Sequence, residues 1–175
     1  MKIKEKTFVP YLSEEKLQLA IRELATTINR DFQGRTPVIL AVLNGAFMFT
    51  ADLIKMLEVE VEISFVKVKS YEGTQSSGEV KQLIGLDSSL QGKDIILLED
   101  IVDTGHTIYH LIRLLEAQEP SSISTATLLF KPEALQKEVD LTYVGIRIPD
   151  IFVVGYGLDY DGLGRQYREI YQLAE

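Results

Sequence analysis

Residues 94–107 read Asp-Ile-Ile-Leu-Leu-Glu-Asp-Ile-Val-Asp-Thr-Gly-His-Thr. The first five residues are a short apolar run, the pattern of a strand buried on both faces of a parallel sheet. Two acids, Glu99 and Asp100, end the run, and Asp103 follows after two apolar residues. Thr104-Gly105-His106-Thr107 then opens a stretch of helical spacing that continues through Glu116. Small and hydroxyl-bearing residues at a helix N-terminus let backbone amides converge on a phosphate, a placement the helix dipole favours. The carboxylates would repel that phosphate unless they face sugar hydroxyls or a metal ion. A sugar phosphate therefore fits better than free phosphate.

The same alternation of buried strand and helix extends outward. Pro37–Leu43 is a second continuous apolar run, with a helix expected over about Ala46–Leu57. Before it, Ser13 with Glu14 and Glu15 reads as a helix N-cap, and Leu17, Ala20, Ile21, Leu24, Ala25 and Ile28 recur at helical spacing up to about Gly34. Val59, Val61, Ile63 and Phe65 alternate with polar residues and predict a strand with that face covered. A polar loop follows over Ser70–Gly78, then a returning strand over Lys81–Leu86. Further strands are expected at Ile123–Phe130, Tyr143–Ile148 and Phe152–Val154. Repeated strand-helix-strand order implies an α/β doubly wound sheet with ligands at the carboxyl ends of its strands. The residues after Asp159 lack a strong period and are expected to cap the sheet edge.

Composition narrows the function. With 175 residues, 46% of them hydrophobic, one domain is expected. The chain has no cysteine, so thiolate chemistry and disulfides are unavailable. A formal net charge of −8 disfavours a nucleic-acid partner, which would call for a positive stripe. A membrane span over Pro37–Leu57 is disfavoured by Asn44-Gly45, Asp52 and Lys55, and Met1–Pro10 has no apolar stretch of secretory type. His106 and His110 stand one helical turn apart, but without the other groups of a zinc site. Gly155-Tyr156-Gly157 begins like a dinucleotide fingerprint, yet Tyr160 occupies the third glycine position.

The run at Glu99–Thr107 resembles the phosphoribosyl pyrophosphate signature of the type I phosphoribosyltransferases: an apolar strand, two acids, two apolar residues, then Asp-Thr-Gly-x-Thr. Lys131 after Leu128-Leu129-Phe130, and Pro149-Asp150-Ile151-Phe152-Val153-Val154-Gly155-Tyr156-Gly157-Leu158-Asp159-Tyr160, are similar to the hypoxanthine-guanine branch of that family. The likeness covers about Val38 to Arg165. It implies a mostly parallel twisted sheet flanked by helices, with a core over about 13–148 and a small hood built from about 149–175 and the N-terminal segment. It also implies a magnesium-dependent transfer from phosphoribosyl pyrophosphate to a 6-oxopurine base, in a cytoplasmic homodimer or homotetramer.

Residue by residue, the likeness makes Asp103 the general base and places Glu99, Asp100, Asp103, Thr104, Gly105, His106 and Thr107 around the phosphoribosyl group. It assigns Asn44, Gly45 and Arg165 to pyrophosphate. Lys131 donates to the purine 6-oxo group, Phe152 stacks on the ring, and the Val153 backbone reads its edge, with Asp159 nearby. Glu99, Asp100 and Asp159 are the metal carboxylates, and Ser70-Tyr71 starts a closing loop. Asn44 departs from the Lys or Arg that many relatives carry. Two alternatives keep the same signature: a transferase for xanthine, adenine or a pyrimidine, and a regulator that senses phosphoribosyl pyrophosphate.

Overall fold

A computed structural model describes residues 1–69, 81–84 and 89–174. In chain order the elements are β1 (Lys2–Ile3), β2 (Lys6–Leu12), α1 (Glu14–Asp31), β3 (Val38–Leu43), α2 (Phe47–Ile54), β4 (Glu62–Lys69), β5 (Lys81–Ile84), β6 (Asp94–Val102), α3 (His106–Glu116), β7 (Ser122–Phe130), β8 (Tyr143–Arg147), β9 (Val153–Val154) and β10 (Ile170–Leu173). Strands β4, β3, β6, β7 and β8 run parallel, and β5 returns antiparallel along β4 to complete a six-stranded sheet.

Both apolar runs serve two cores at once. Register pairs Ile39 with Ile96 and Ala41 with Leu98. These residues face α1 and α2, where the six predicted α1 positions are all buried beside Phe49 and Leu53. The opposite set, Leu40, Val42, Ile95 and Leu97, packs against Ile108, Leu111 and Leu115 of α3. Pleated strands send alternate side chains to opposite faces, so helices on both sides demand apolar residues at every position. Ser13 caps α1, accepting from the Lys16 amide at 3.4 Å. Helix α2 is shorter than its spacing predicts, ending at Ile54 instead of Leu57.

One strand face is reversed from expectation. Ile63 and Phe65 are 44% and 38% exposed, whereas Val66 is buried with Val42. Alternation found the strand but not its covered side, because β4 lies next to the sheet edge. Ile63 and Phe65 share the α2 side of the sheet with Ile39 and Ala41. On the other side, Val66 completes the core under α3.

The second sheet has the order β1-β2-β10-β9 and is antiparallel throughout. It joins the N-terminal segment to the C-terminal one as a hood, with Ile3, Phe8 and Val154 at its centre. Strand β2 thereby supplies what the residues after Asp159 lack, a partner for β10. Among the described residues, no helix is long and apolar enough to cross a membrane.

Candidate active site

Every parallel strand delivers its carboxyl end to one side of the sheet, and a cavity of 330 Å³ opens there between sheet and hood. Its lining includes Asn44 and Gly45 after β3, Glu99 and Asp100 in β6, Asp103 and Thr107 beyond it, and Lys131 after β7. Phe152, Val153, Asp159 and Arg165 come from the hood side. Eleven of the sequence-predicted site residues therefore meet in one cavity. Thr104, Gly105 and His106 stand beside it in the turn that enters α3 and do not line it. Ser70 and Tyr71 lie outside the described residues.

The turn into α3 is held from behind. Gly105 caps the helix with φ of 82°, and the Thr104 carbonyl accepts from the Gln136 and Lys137 amides at 3.0 and 3.1 Å. No side chain caps α3, so the amides of its first turn are available to an anion.

Glu99 and Asp100 are 8% and 7% exposed. Burial, with the neighbouring Asp100 charge second, pushes the Glu99 carboxyl well above the carboxylate range. Burial raises Asp100 to about 6, opposed by the Ile101 backbone amide and by its own. Glu99 Oε2 has no hydrogen-bond partner. Such a buried acceptor costs stability unless a ligand satisfies it.

A carboxyl raised in the folded state keeps its proton longer there than in the unfolded chain, so its ionisation costs stability as pH rises. That cost grows from about pH 4, where unfolded carboxyls ionise, and through about 6, where Asp100 ionises in the fold. Glu99→Gln is expected to raise the ligand-free melting temperature at pH 7.5 by about 2–4 °C, the effect of about 1 kcal/mol on a chain this size. It should also flatten the decline between pH 4.5 and 7.5. A lower melting temperature in calorimetry would contradict this.

Close packing fixes the loop after β3. A Cβ on Gly45 would stand 1.7 Å from Asp100 Oδ2, and one on Gly157 would stand 2.1 Å from the Gly45 carbonyl oxygen. The hood thus rests directly on this loop, with no room for a side chain at either contact. Arg165 is tied into the same junction. Its Nη1 donates to the Gly157 carbonyl at 2.5 Å, and its Nη2 meets Asp159 Oδ1 at 2.5 Å. Asp159 also accepts from the Gly162 amide at 2.7 Å.

Phe152 immediately precedes β9 and is 44% exposed. Phe8 and Tyr160 brace its ring at centroid distances of 6.2 and 5.9 Å, and the Lys6 ammonium stands 5.4 Å from its centroid. Its ring belongs to the hood's aromatic cluster and also lines the cavity. Lys131 differs from an ordinary surface lysine: its side chain is 7% exposed and meets Asp103 Oδ2 at 2.8 Å and Asp150 Oδ1 at 3.2 Å. Sequence reasoning gave Asp150 no role, and only its place in the Pro149–Tyr160 segment hinted at one. The support from Phe8 and Gly157 was likewise not anticipated, since those contacts span distant parts of the chain.

Comparison with known proteins agrees with this geometry. Residues 11–161 match the family described as Phosphoribosyl transferase domain. Hypoxanthine-guanine phosphoribosyltransferase of Bacillus subtilis is 41% identical over 160 residues, which cover 91% of this chain and 87% of that protein. The bifunctional protein TilS/HprT of Listeria monocytogenes is also 41% identical over 160 residues, but this chain spans only 24% of its length. A crystal structure of hypoxanthine-guanine phosphoribosyltransferase from Bacillus anthracis, with HEPES in the active site, superposes with a TM-score of 0.89. Identity there is 38%, over 97% of this chain and 99% of that one.

Proposed function

Because the chain belongs to the phosphoribosyltransferase family, we propose that it is a purine salvage enzyme, transferring the 5-phosphoribosyl group from phosphoribosyl pyrophosphate to hypoxanthine or guanine. The observation that carries this reading is the meeting of Lys131, Phe152 and Asp103 with Glu99, Asp100 and Arg165 in one cavity. A base-recognition set and a sugar-phosphate set lie within reach of a single substrate pair.

The reaction breaks the bond between the ribose anomeric carbon and pyrophosphate, building positive charge on the sugar and negative charge on the leaving group. Amides of the Thr104–Thr107 turn hold the 5-phosphate at the start of α3. Glu99 and Asp100 face the ribose hydroxyls, and Asp100, ionised above about pH 6, sets negative charge beside the sugar's growing positive charge. Arg165, already fixed by Gly157 and Asp159, presents its guanidinium to pyrophosphate with little reorganisation. Asn44 adds no charge there, so the backbone of Asn44-Gly45 is the contact on that side. Phe152 stacks on the purine, the Val153 backbone reads its edge, and Lys131 donates to the 6-oxo group. Asp103 takes the proton lost by the imidazole ring as a ring nitrogen bonds to the anomeric carbon.

Magnesium fits the donors present. Glu99, Asp100 and Asp159 offer hard carboxylate oxygens, one of them the unpartnered Glu99 Oε2. No group of three metal-binding side chains occurs among the described residues. Magnesium needs no such cage, since it is bound through one or two carboxylates, waters and substrate phosphates. When bound, it would neutralise charge on pyrophosphate. Asp159→Ala is expected to raise the magnesium concentration for half-maximal rate. An unchanged titration would remove Asp159 from the metal's surroundings, and full activity in excess chelator would remove the metal.

The chain is expected to associate as a homodimer or homotetramer, and the exposed Ile63 and Phe65, on the sheet face that carries α2, and the exposed Phe47 in the first turn of that helix are apolar side chains that such an interface would cover. Cytoplasmic residence suits a salvage enzyme. The deciding assay measures nucleotide formation from hypoxanthine, guanine, xanthine and adenine with phosphoribosyl pyrophosphate. Xanthine preferred over hypoxanthine would reassign the substrate. No product from any base would leave a regulator that only senses phosphoribosyl pyrophosphate.

A further inference from the structure

Lys131 is fixed from its backbone outward. Its amide donates to the Val102 carbonyl at 2.9 Å, which sets the residue beside the end of β6. Its ammonium then meets two carboxylates that arrive from different connections of the sheet. Asp103 comes from the turn between β6 and α3, and Asp150 comes from the turn after β8, two residues before Phe152. The reaction described above makes no use of Asp150.

A conflict over Asp103 gives Asp150 a purpose. In the ligand-free site, Asp103 Oδ2 accepts from Lys131. During transfer the same carboxylate has to face the purine imidazole and take its proton. A buried ammonium left without an anionic neighbour is strongly unfavourable, so Lys131 needs another carboxylate while Asp103 is engaged. It has three donors and no acceptor. One donor serves the 6-oxo group, and the others need oxygen partners. Among the described residues, Asp150 is the only other carboxylate within ion-pair distance.

We infer that Asp150 is a positioning residue for base recognition. It keeps the Lys131 ammonium paired and aimed at the 6-oxo group when the purine draws Asp103 away. This rests on Lys131 being the purine donor. Without Asp150, Lys131 would hold Asp103 more tightly, and an incoming base would have to compete for both groups. Asp150 is 60% exposed, so solvent screens it and the effect is one of tuning.

The test compares Asp150→Asn, Asp150→Glu and Lys131→Met in steady-state kinetics with hypoxanthine, adenine and phosphoribosyl pyrophosphate. Asp150→Asn should raise the hypoxanthine KM about three- to tenfold, with the phosphoribosyl pyrophosphate KM and the melting temperature near wild type. Asp150→Glu should recover most of the loss. A merely structural role would move both KM values together, and that result would overturn the inference, as would Glu and Asn variants that behave alike. If Lys131→Met alters the hypoxanthine-to-adenine ratio while Asp150→Asn leaves the hypoxanthine KM unchanged, the inference fails and the purine reading of Lys131 stands. If Lys131→Met leaves that ratio unchanged, the reading fails and the inference falls with it.

Discussion

Asp103→Ala is expected to lower kcat by about a hundredfold or more, with the KM of either substrate changed much less, the usual scale for losing a general base. The carboxylate is 46% exposed, lines the cavity and lies beside the turn that would hold the 5-phosphate. Its contact with Lys131 complicates the alanine variant, because that change also removes an anionic partner from a buried ammonium. Asp103→Asn separates the two roles. Asparagine keeps the shape and an oxygen that can accept from Lys131, but it cannot take a proton at neutral pH. If proton transfer is what Asp103 supplies, both variants lose turnover in a single-turnover measurement. Should Asn retain turnover within a few-fold while Ala loses it, Asp103 would be a partner for Lys131 and not a base.

The two residues of that pair differed greatly in how far sequence exposed them. Asp103 sits in a run whose every step is local: apolar strand, acids, small residues, helix. Strand burial, helix entry and acid placement there depend on neighbours within a few residues, and the structure keeps that order from Asp94 through Glu116. Lys131 could be placed only at the end of β7. Its second ion-pair partner, Asp150, arrives through the turn after β8, and no periodicity reports such a meeting.

The hood illustrates the same limit. Strand β1 has two residues, too few for any alternating pattern to register, whereas the equally short β9 falls within the strand expected over Phe152–Val154. Strand β2 ends in the unalternating run Phe8–Leu12, and its partner β10 lies at the other end of the chain. Local pattern cannot announce a pairing of that separation. Ile63 and Phe65 show a subtler failure, since alternation identifies a strand without saying which side is covered. Glu99 runs the other way: its position was legible, while the energetic penalty of its unpartnered oxygen needed the packing around it. Sites that bind charged ligands commonly store such a cost, to be relieved when the ligand arrives.

Lys131→Met is expected to lower the preference for hypoxanthine over adenine, measured as the ratio of kcat/KM values, by about tenfold or more. An ammonium only donates hydrogen bonds, so it complements the 6-oxo acceptor of hypoxanthine but confronts the 6-amino group of adenine with a second donor. Methionine keeps a long apolar stem in a position that is 7% exposed, which limits the packing loss. It cannot donate, however, and it leaves Asp103 and Asp150 without the cation between them. The change should therefore fall mainly on hypoxanthine, with adenine use altered little. Guanine supplies the control. It shares the 6-oxo group and differs from hypoxanthine only at position 2, where Lys131 is not the reader. Both 6-oxopurines should lose efficiency in parallel, and their mutual ratio should stay near wild type. Efficient adenine use by the unmodified enzyme, or discrimination untouched by Lys131→Met, would show that the 6-position is read by another group.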